Sequence, residues 1–250
     1  MKSILLESTW VWHKQLQNVF SVILVLRYMV ATGKPTSGNG QKTEIVDLTD
    51  SSMSCVLDDI PSQWGSTGGV LGTTPIICGG FNGNYLNECL LHGTSDVITM
   101  NSKRLLASSV VINPNKIWIL GGSDGSNVLD STEFVTLEGT EIGPTLPEAV
   151  SGACAVKLPD TGDVYSIGGY GSSGNTNNVW VANAGNGYTT FSQGPSLMTY
   201  RESHACGTMS IGAKSIIVAA GGYNYNDSNY HYLSSVEILD PLSNQWVAGK

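Results

Sequence analysis

Four times along this chain an apolar run ends in two adjacent glycines: PIICGG, IWILGG, VYSIGG and IIVAAGG. The pairs are Gly79-Gly80, Gly121-Gly122, Gly168-Gly169 and Gly221-Gly222, and their first members are 42, 47 and 53 residues apart. A period of this size marks a supersecondary unit repeated along the chain, with the drift taken up by loop insertions. After each pair comes a variable polar loop, then an alternating strand such as STEFVTL or SSVEILD. Residues without a Cβ at the end of an apolar strand permit close approach of a neighbouring backbone and positive φ. A fainter copy lies 46 residues before Gly79, where LVLRYMVATGK ends in Gly33 with Lys34 in the second glycine's place, and KTEIVDL follows in register.

Composition agrees with short strands and many turns. Glycine numbers 30 in 250 residues and only 13% of the chain is charged, so long amphipathic helices are hard to draw. All-β units of this length form one domain. The formal net charge of -8 and the lack of Lys/Arg clusters argue against nucleic acid, which is held mainly by cationic contacts, and against an anionic membrane.

Apolar strands closed by double glycines resemble the kelch repeat, which also carries aromatic residues later in each unit. The resemblance runs from Gly33 to Val247. The expected later tryptophan is clear as Trp246, while Cys55, Thr140 and Phe191 stand in that region of other units. The arginine that often precedes the inner strand occurs as Arg104 and Arg201 and is missing near Ala149. The resemblance implies an all-β, kelch-type β-propeller of four clear blades plus one degenerate N-terminal blade. We assign it to residues 26–250, behind a leader at 1–25, and expect a partial family member or an incomplete ring. In the degenerate blade Leu24 to Thr32 is the expected apolar strand, and the blade is short of an inner strand unless the stretch around Trp10 to Gln17 supplies one.

Two questions stay open at this level. The thirteen residues Val19 to Ala31, interrupted by Arg27, read as the core of a secretory signal, as a short membrane anchor or as a blade strand. The five cysteines leave at least one unpaired within the chain. Cys78 and Cys89 fall on neighbouring strands of one unit, and Cys154 and Cys206 on equivalent inner strands of adjacent units. Both pairs are therefore candidate bridges, with Cys55 left over, and buried free thiols are the alternative. Asn226-Asp227-Ser228 is a glycosylation sequon consistent with secretion.

No catalytic constellation emerges. The glycine pairs lead into no helix, so they cannot cradle phosphate. Ser203 and His204 lack a third partner, and Asp58, Asp59 and Asp124 read as turn carboxylates. His13, His92, His204 and His231 are scattered, and no cofactor or metal is expected. Copper radical oxidases built on kelch-like rings need two tyrosines and two histidines converging on one metal, and these histidines lie on unrelated blade positions.

Rigid scaffolds present variable loops for binding. The richest is GGYNYNDSNYHYLSS, where Tyr223, Tyr225, Tyr230 and Tyr232 alternate mostly with small polar residues, the composition of a recognition loop. Phe81 to Asn87, Ser123 to Leu129 and Tyr170 to Asn178 are lesser candidates, and Arg104 and Arg201 are further candidate binding residues. The expected function is a non-enzymatic, secreted propeller that binds a protein or glycan. A cytoplasmic substrate-recognition propeller of a ubiquitin-ligase adaptor is the alternative that the resemblance also implies.

Overall fold

Each apolar run that ends in glycines is the second strand of a four-stranded antiparallel sheet. The computed structural model describes residues 63–211, 214–226 and 229–249, with the side chain of Asn226 excepted, and the backbone of four strands between residues 20 and 61. Blade 1 is β1 (Phe20–Leu24), β2 (Tyr28–Gly33), β3 (Lys42–Asp47) and β4 (Cys55–Pro61). Blade 2 is β5 (Thr67–Leu71), β6 (Thr74–Cys78), β7 (Glu88–Leu91) and β8 (Val97–Thr99). Blade 3 is β9 (Ser108–Asn113), β10 (Lys116–Leu120), β11 (Thr132–Thr136) and β12 (Gly139–Ile142).

The last two blades carry extra hairpins at their second loop. In blade 4, β13 (Val150–Ser151) precedes the inner strand β14 (Cys154–Lys157), and β15 (Val164–Ile167) follows. The small strands β16 (Tyr170–Gly171) and β17 (Gly174–Asn175) interrupt the path to β18 (Val179–Ala182) and β19 (Phe191–Gln193). Blade 5 runs β20 (Ala205–Ile211), β21 (Lys214–Ala220), a hairpin of β22 (Tyr223–Asn226) and β23 (Asn229–Tyr232), then β24 (Val236–Asp240) and β25 (Gln245–Ala248). There is no α-helix among the described residues, and no helix long and apolar enough to cross a membrane.

The first strands lie side by side in the order β1, β5, β9, β14, β20. This is the inner row of a propeller, and the described residues do not close it into a ring. Blade 1 departs from expectation in one respect. Its inner strand is Phe20–Leu24, and its second strand starts only at Tyr28. The single apolar run thus serves as two antiparallel paired strands, Phe20–Leu24 and Tyr28–Gly33. Trp10 to Gln17 lie outside the described residues.

Blades stack through apolar faces. Ile76 and Cys78 of blade 2 meet Ile117 and Ile119 of blade 3. Trp118 and Leu120 turn the other way, toward Ala155 and Val164 of blade 4. Tyr165 and Ile167 then pack on Ile217 and Ala219 of blade 5, where Trp246 donates its indole N–H to the Pro195 carbonyl at 2.8 Å. Strand alternation makes this possible, because residues one apart point to opposite faces of a sheet. The second strands of blades 3 and 4 therefore give one set of side chains to the preceding blade and the other to the following blade.

The glycine pairs sit where consecutive blades touch. Gly121 has φ +61, and a Cβ there would fall on the carbonyl oxygen of Val150, at the entry to blade 4. The second glycine of the first three pairs uses that carbonyl. Gly80 N–H donates to Arg104 O at 2.7 Å, Gly122 to Val150 O at 2.8 Å and Gly169 to Arg201 O at 2.9 Å. A second row of backbone bonds joins successive blade entries, Leu106 N to Gly65 O, Gly152 N to Leu106 O and Ser203 N to Gly152 O, each 2.8 Å. All four residues of this row have left-handed φ, including the non-glycine Leu106 (56°) and Ser203 (50°).

Candidate functional site

Alternation in Tyr-Asn-Tyr-Asn and Asn-Tyr-His-Tyr decides how the β22–β23 hairpin presents its side chains. Tyr223 is paired with Tyr232 and Tyr225 with Tyr230, so all four rings share one face, while Asn224 and His231 form the pair between them on the other. The rings touch at angles. Tyr223 and Tyr230 centroids are 5.4 Å apart at 70°, Tyr225 and Tyr230 5.0 Å at 58°, and Tyr223 and Tyr232 6.1 Å at 56°. Tyr225, Tyr230 and Tyr232 remain 45%, 55% and 64% exposed. Such large aromatic area left in solvent on a paired ribbon is what binding surfaces offer.

Two residues that the sequence reading passed over anchor this hairpin. Tyr223 and Glu202 exchange backbone hydrogen bonds at 2.9 and 3.1 Å, which fixes the hairpin to the blade entry. Asn175, at the open end of the β16–β17 hairpin, accepts from Tyr225 N–H at 2.7 Å and donates to Glu202 Oε1 at 3.0 Å. Burial raises the Glu202 carboxyl above its usual range, and hydrogen bonds from Asn175 and Tyr223 offset this only in part. The Tyr223 phenol is pushed up to about 12, first by burial and then by the nearby Glu202 charge. Tyr223 is the half-buried footing of the cluster and the other three rings are its contact surface. The sequence signals were present, Glu202 inside the Arg-Glu-Ser entry and Asn175 within the Tyr170 to Asn178 loop.

Arg104 and Arg201 require a correction. They are 1% and 0% exposed, so neither reaches a surface where a ligand would meet it. Arg104 binds Glu133 at 2.8 Å and the carbonyls of Gly121 and Ser131, and Arg201 binds Glu237 at 2.7 Å and the carbonyls of Gly221 and Ser235. Both guanidinium groups tie a blade's entry to its second loop and third strand.

The remaining expectations distribute over the fold. The Sγ atoms of Cys78 and Cys89 are at bonding distance across β6 and β7, which pair these two residues directly, with Cα atoms 3.9 Å apart. Those of Cys154 and Cys206 are likewise at bonding distance, joining the inner strands of blades 4 and 5, with Cα atoms 6.0 Å apart. Asn226 ends β22, while Asp227 and Ser228 of its sequon lie outside the described residues, and Cys55 contributes only backbone. In the lesser loops, Tyr85 packs edge-on to Phe81 at 5.1 Å, and Tyr170 is 38% exposed. Asp124 accepts from Ser126 and Asn127 N–H at 2.7 Å, and Asn127 first, then Ser126, holds its carboxyl low, as in an Asx turn. Among the described residues no three His, Cys, Asp or Glu side chains are grouped as metal ligands.

The unit with the tyrosine hairpin is also where the chain resembles known proteins. No curated protein matches it. Residues 213–249, which span β21 through β25, match the Kelch motif. With the all-β blades around it, that motif supports reading this chain as a kelch-repeat protein of β-propeller architecture.

Proposed function

We propose that this chain is a non-enzymatic binding module that holds a protein or glycan against the tyrosine face of the blade 5 hairpin. The observation that carries this is the set of four cross-strand tyrosines, three of them about half exposed and the fourth locked to Glu202. Rigid aromatic side chains on a fixed ribbon contribute contact area at little entropic cost. Kelch motifs generally mediate protein interactions, which agrees with this reading. Secretion is part of it, because cysteine pairs within bonding distance persist in oxidising compartments. A signal peptide would then have to be cut before Phe20 for β1 to survive.

The test compares the chain with a Tyr225→Ser/Tyr230→Ser/Tyr232→Ser variant and with Leu137→Ser/Leu242→Ser, which alters exposed turns between third and fourth strands at the opposite end of the blades. Each is immobilised and exposed to extracellular proteins and to a glycan array. A ligand retained by the parent and the turn variant, and lost by the tyrosine variant, is the expected result. Equal retention by all three overturns the reading.

A further inference from the structure

We infer that Asn82, in the loop after the first glycine pair, is a site of spontaneous deamidation, where water converts the side-chain amide to aspartate and isoaspartate. In this reaction the backbone nitrogen of the next residue attacks the Asn side-chain carbon. That nitrogen must be exposed and free of other hydrogen bonds, and a Cβ beside it must not crowd the approach, so glycine is the most permissive follower. Asn82 and Gly83 are both exposed, and beyond its chain neighbours a Cβ on Gly83 would meet nothing within 4 Å. Among the described residues Gly83 N–H has no acceptor. The Asn82 side-chain oxygen makes one long contact, accepting the Asn84 N–H at 3.4 Å.

Two comparable dipeptides show what protection looks like. Asn186-Gly187 has the same sequence, but Gly187 N–H donates to Ala184 O at 3.0 Å and the Asn186 side-chain oxygen accepts the Thr189 N–H at 3.3 Å. Both reacting groups are held. Asp124-Gly125 occupies in blade 3 the place that Asn82-Gly83 occupies in blade 2, GGSDG against GGFNG. There Gly125 N–H donates to Ser123 Oγ at 3.2 Å, and Asp124 accepts from Asn127 and Ser126 N–H. Those donors, Asn127 first, hold the Asp124 carboxyl below its usual range, so it stays ionised and resists attack.

The step balances with water as co-reactant. Gly83 N loses its proton and bonds to Asn82 Cγ, while the Cγ–Nδ2 bond breaks and ammonia leaves with that proton. Water then opens the cyclic imide. Addition at Cγ gives aspartate on an ordinary backbone, and addition at the backbone carbonyl carbon gives isoaspartate, with the chain running through Cβ and Cγ. Either product adds one negative charge to the formal -8, in a loop whose residues from Phe81 to Asn87 are otherwise uncharged. The charge falls near blade 3, because the Tyr85 ring fills the space into which a Cβ on Gly125 would project. The inference does not rest on the tyrosine face, which is formed by the separate β22–β23 hairpin.

Incubation of the folded full chain at neutral pH and body temperature tests it. Peptide mapping separates the Asn, Asp and isoaspartate forms, and methyl transfer by an isoaspartate methyltransferase is the second readout. Synthetic peptides covering 80–86 and 184–190 give the unconstrained rates. Asn82 in the full chain is expected to convert within about ten-fold of its peptide, whereas Asn186 is slowed by more than about ten-fold and Asp124 yields no isoaspartate. The Asn82 rate rises with pH, since the attacking nitrogen must lose its proton, and Gly83→Ala lowers it by about ten-fold. An Asn82 that stays intact while its peptide converts overturns the inference. So does equal conversion at Asn82 and Asn186, or a rate that neither pH nor Gly83→Ala changes.

Discussion

Arg201 Nη2 lies 2.7 Å from Glu237 Oε1, and Arg104 Nη2 lies 2.8 Å from Glu133 Oε1, the same buried bond two blades apart. Each carboxylate also accepts backbone N–H groups from the segment leading into its blade, Asn101 and Ser102 in one case, Met198 and Thr199 in the other. Where the arginine position holds Gln63 or Val150, the strand position that would face it holds Leu90 or Trp180. In blades 2 to 5 charge enters or leaves both positions together, as expected when a lone buried charge is costly. Glu133→Gln is therefore expected to cost about 3 kcal/mol, because it strands Arg104, whereas Arg104→Met/Glu133→Leu costs less than the single change. Urea denaturation of the two variants reads this directly, and a double variant weaker than the single one contradicts it.

Acid should act on two carboxylates in opposite directions. Burial alone would raise Glu133, but the Asn101 N–H and the Arg104 guanidinium outweigh it and hold the carboxyl below its usual range. A depressed folded-state pKa gives stability that is present above the unfolded value and lost as pH falls through the folded one. Glu202 is raised instead, so its contribution is full below the unfolded value and lost as pH rises through the folded one. Glu202→Gln keeps an acceptor for Asn175 and removes the buried charge, so its melting temperature at neutral pH rises above the parent's, while that of Glu133→Gln falls. Thermal melts at pH 7 and below pH 4 check both signs, and a lower melting temperature for Glu202→Gln at pH 7 would sink the account.

The two cysteine pairs should differ in strength because they close loops of different length. Cys154 and Cys206 are 52 residues apart and Cys78 and Cys89 are 11 apart. Chain-entropy arguments give about 4 kcal/mol for the longer loop and about 3 kcal/mol for the shorter. Protein made in an oxidising compartment should lose four hydrogens relative to its reduced mass and leave one thiol to alkylate. Cys154→Ala/Cys206→Ala should then unfold at lower urea than Cys78→Ala/Cys89→Ala. Five alkylatable thiols would remove the bridges altogether.

What could be read from the chain alone followed from side-chain periodicity and glycine. IWILGG and its copies placed four second strands correctly, and the alternating STEFV and SSVEIL placed the strands beside them. Arg104 and Arg201 were misjudged because burial is a property of the assembled blade. Yet Glu133 and Glu237, each inside one of those otherwise apolar strands, were a legible hint that a cation lay opposite. Leu106 and Ser203 gave no hint of left-handed backbone, since only their alignment with Gly65 and Gly152 across blades reveals the shared position. Asn175 reaches Tyr225 from fifty residues away, a contact set by blade stacking and by no local pattern.

The glycine pairs themselves carry the last prediction. At Gly121 an alanine meets two costs: about 1 kcal/mol for a side chain at positive φ, and a collision with the rigid Val150 carbonyl that forces blades 3 and 4 apart. At Gly221 only the first cost applies, since its nearest neighbour would be 3.6 Å away. Gly121→Ala is thus expected to lose about 3 kcal/mol or more and Gly221→Ala about 1 kcal/mol, read as shifts in urea midpoint. A surplus at Gly121 means that the first glycine is required by contact between blades and not by the turn it occupies. Equal losses at the two positions would mean the reverse, and would remove the blade boundary as the reason why this chain repeats its glycines.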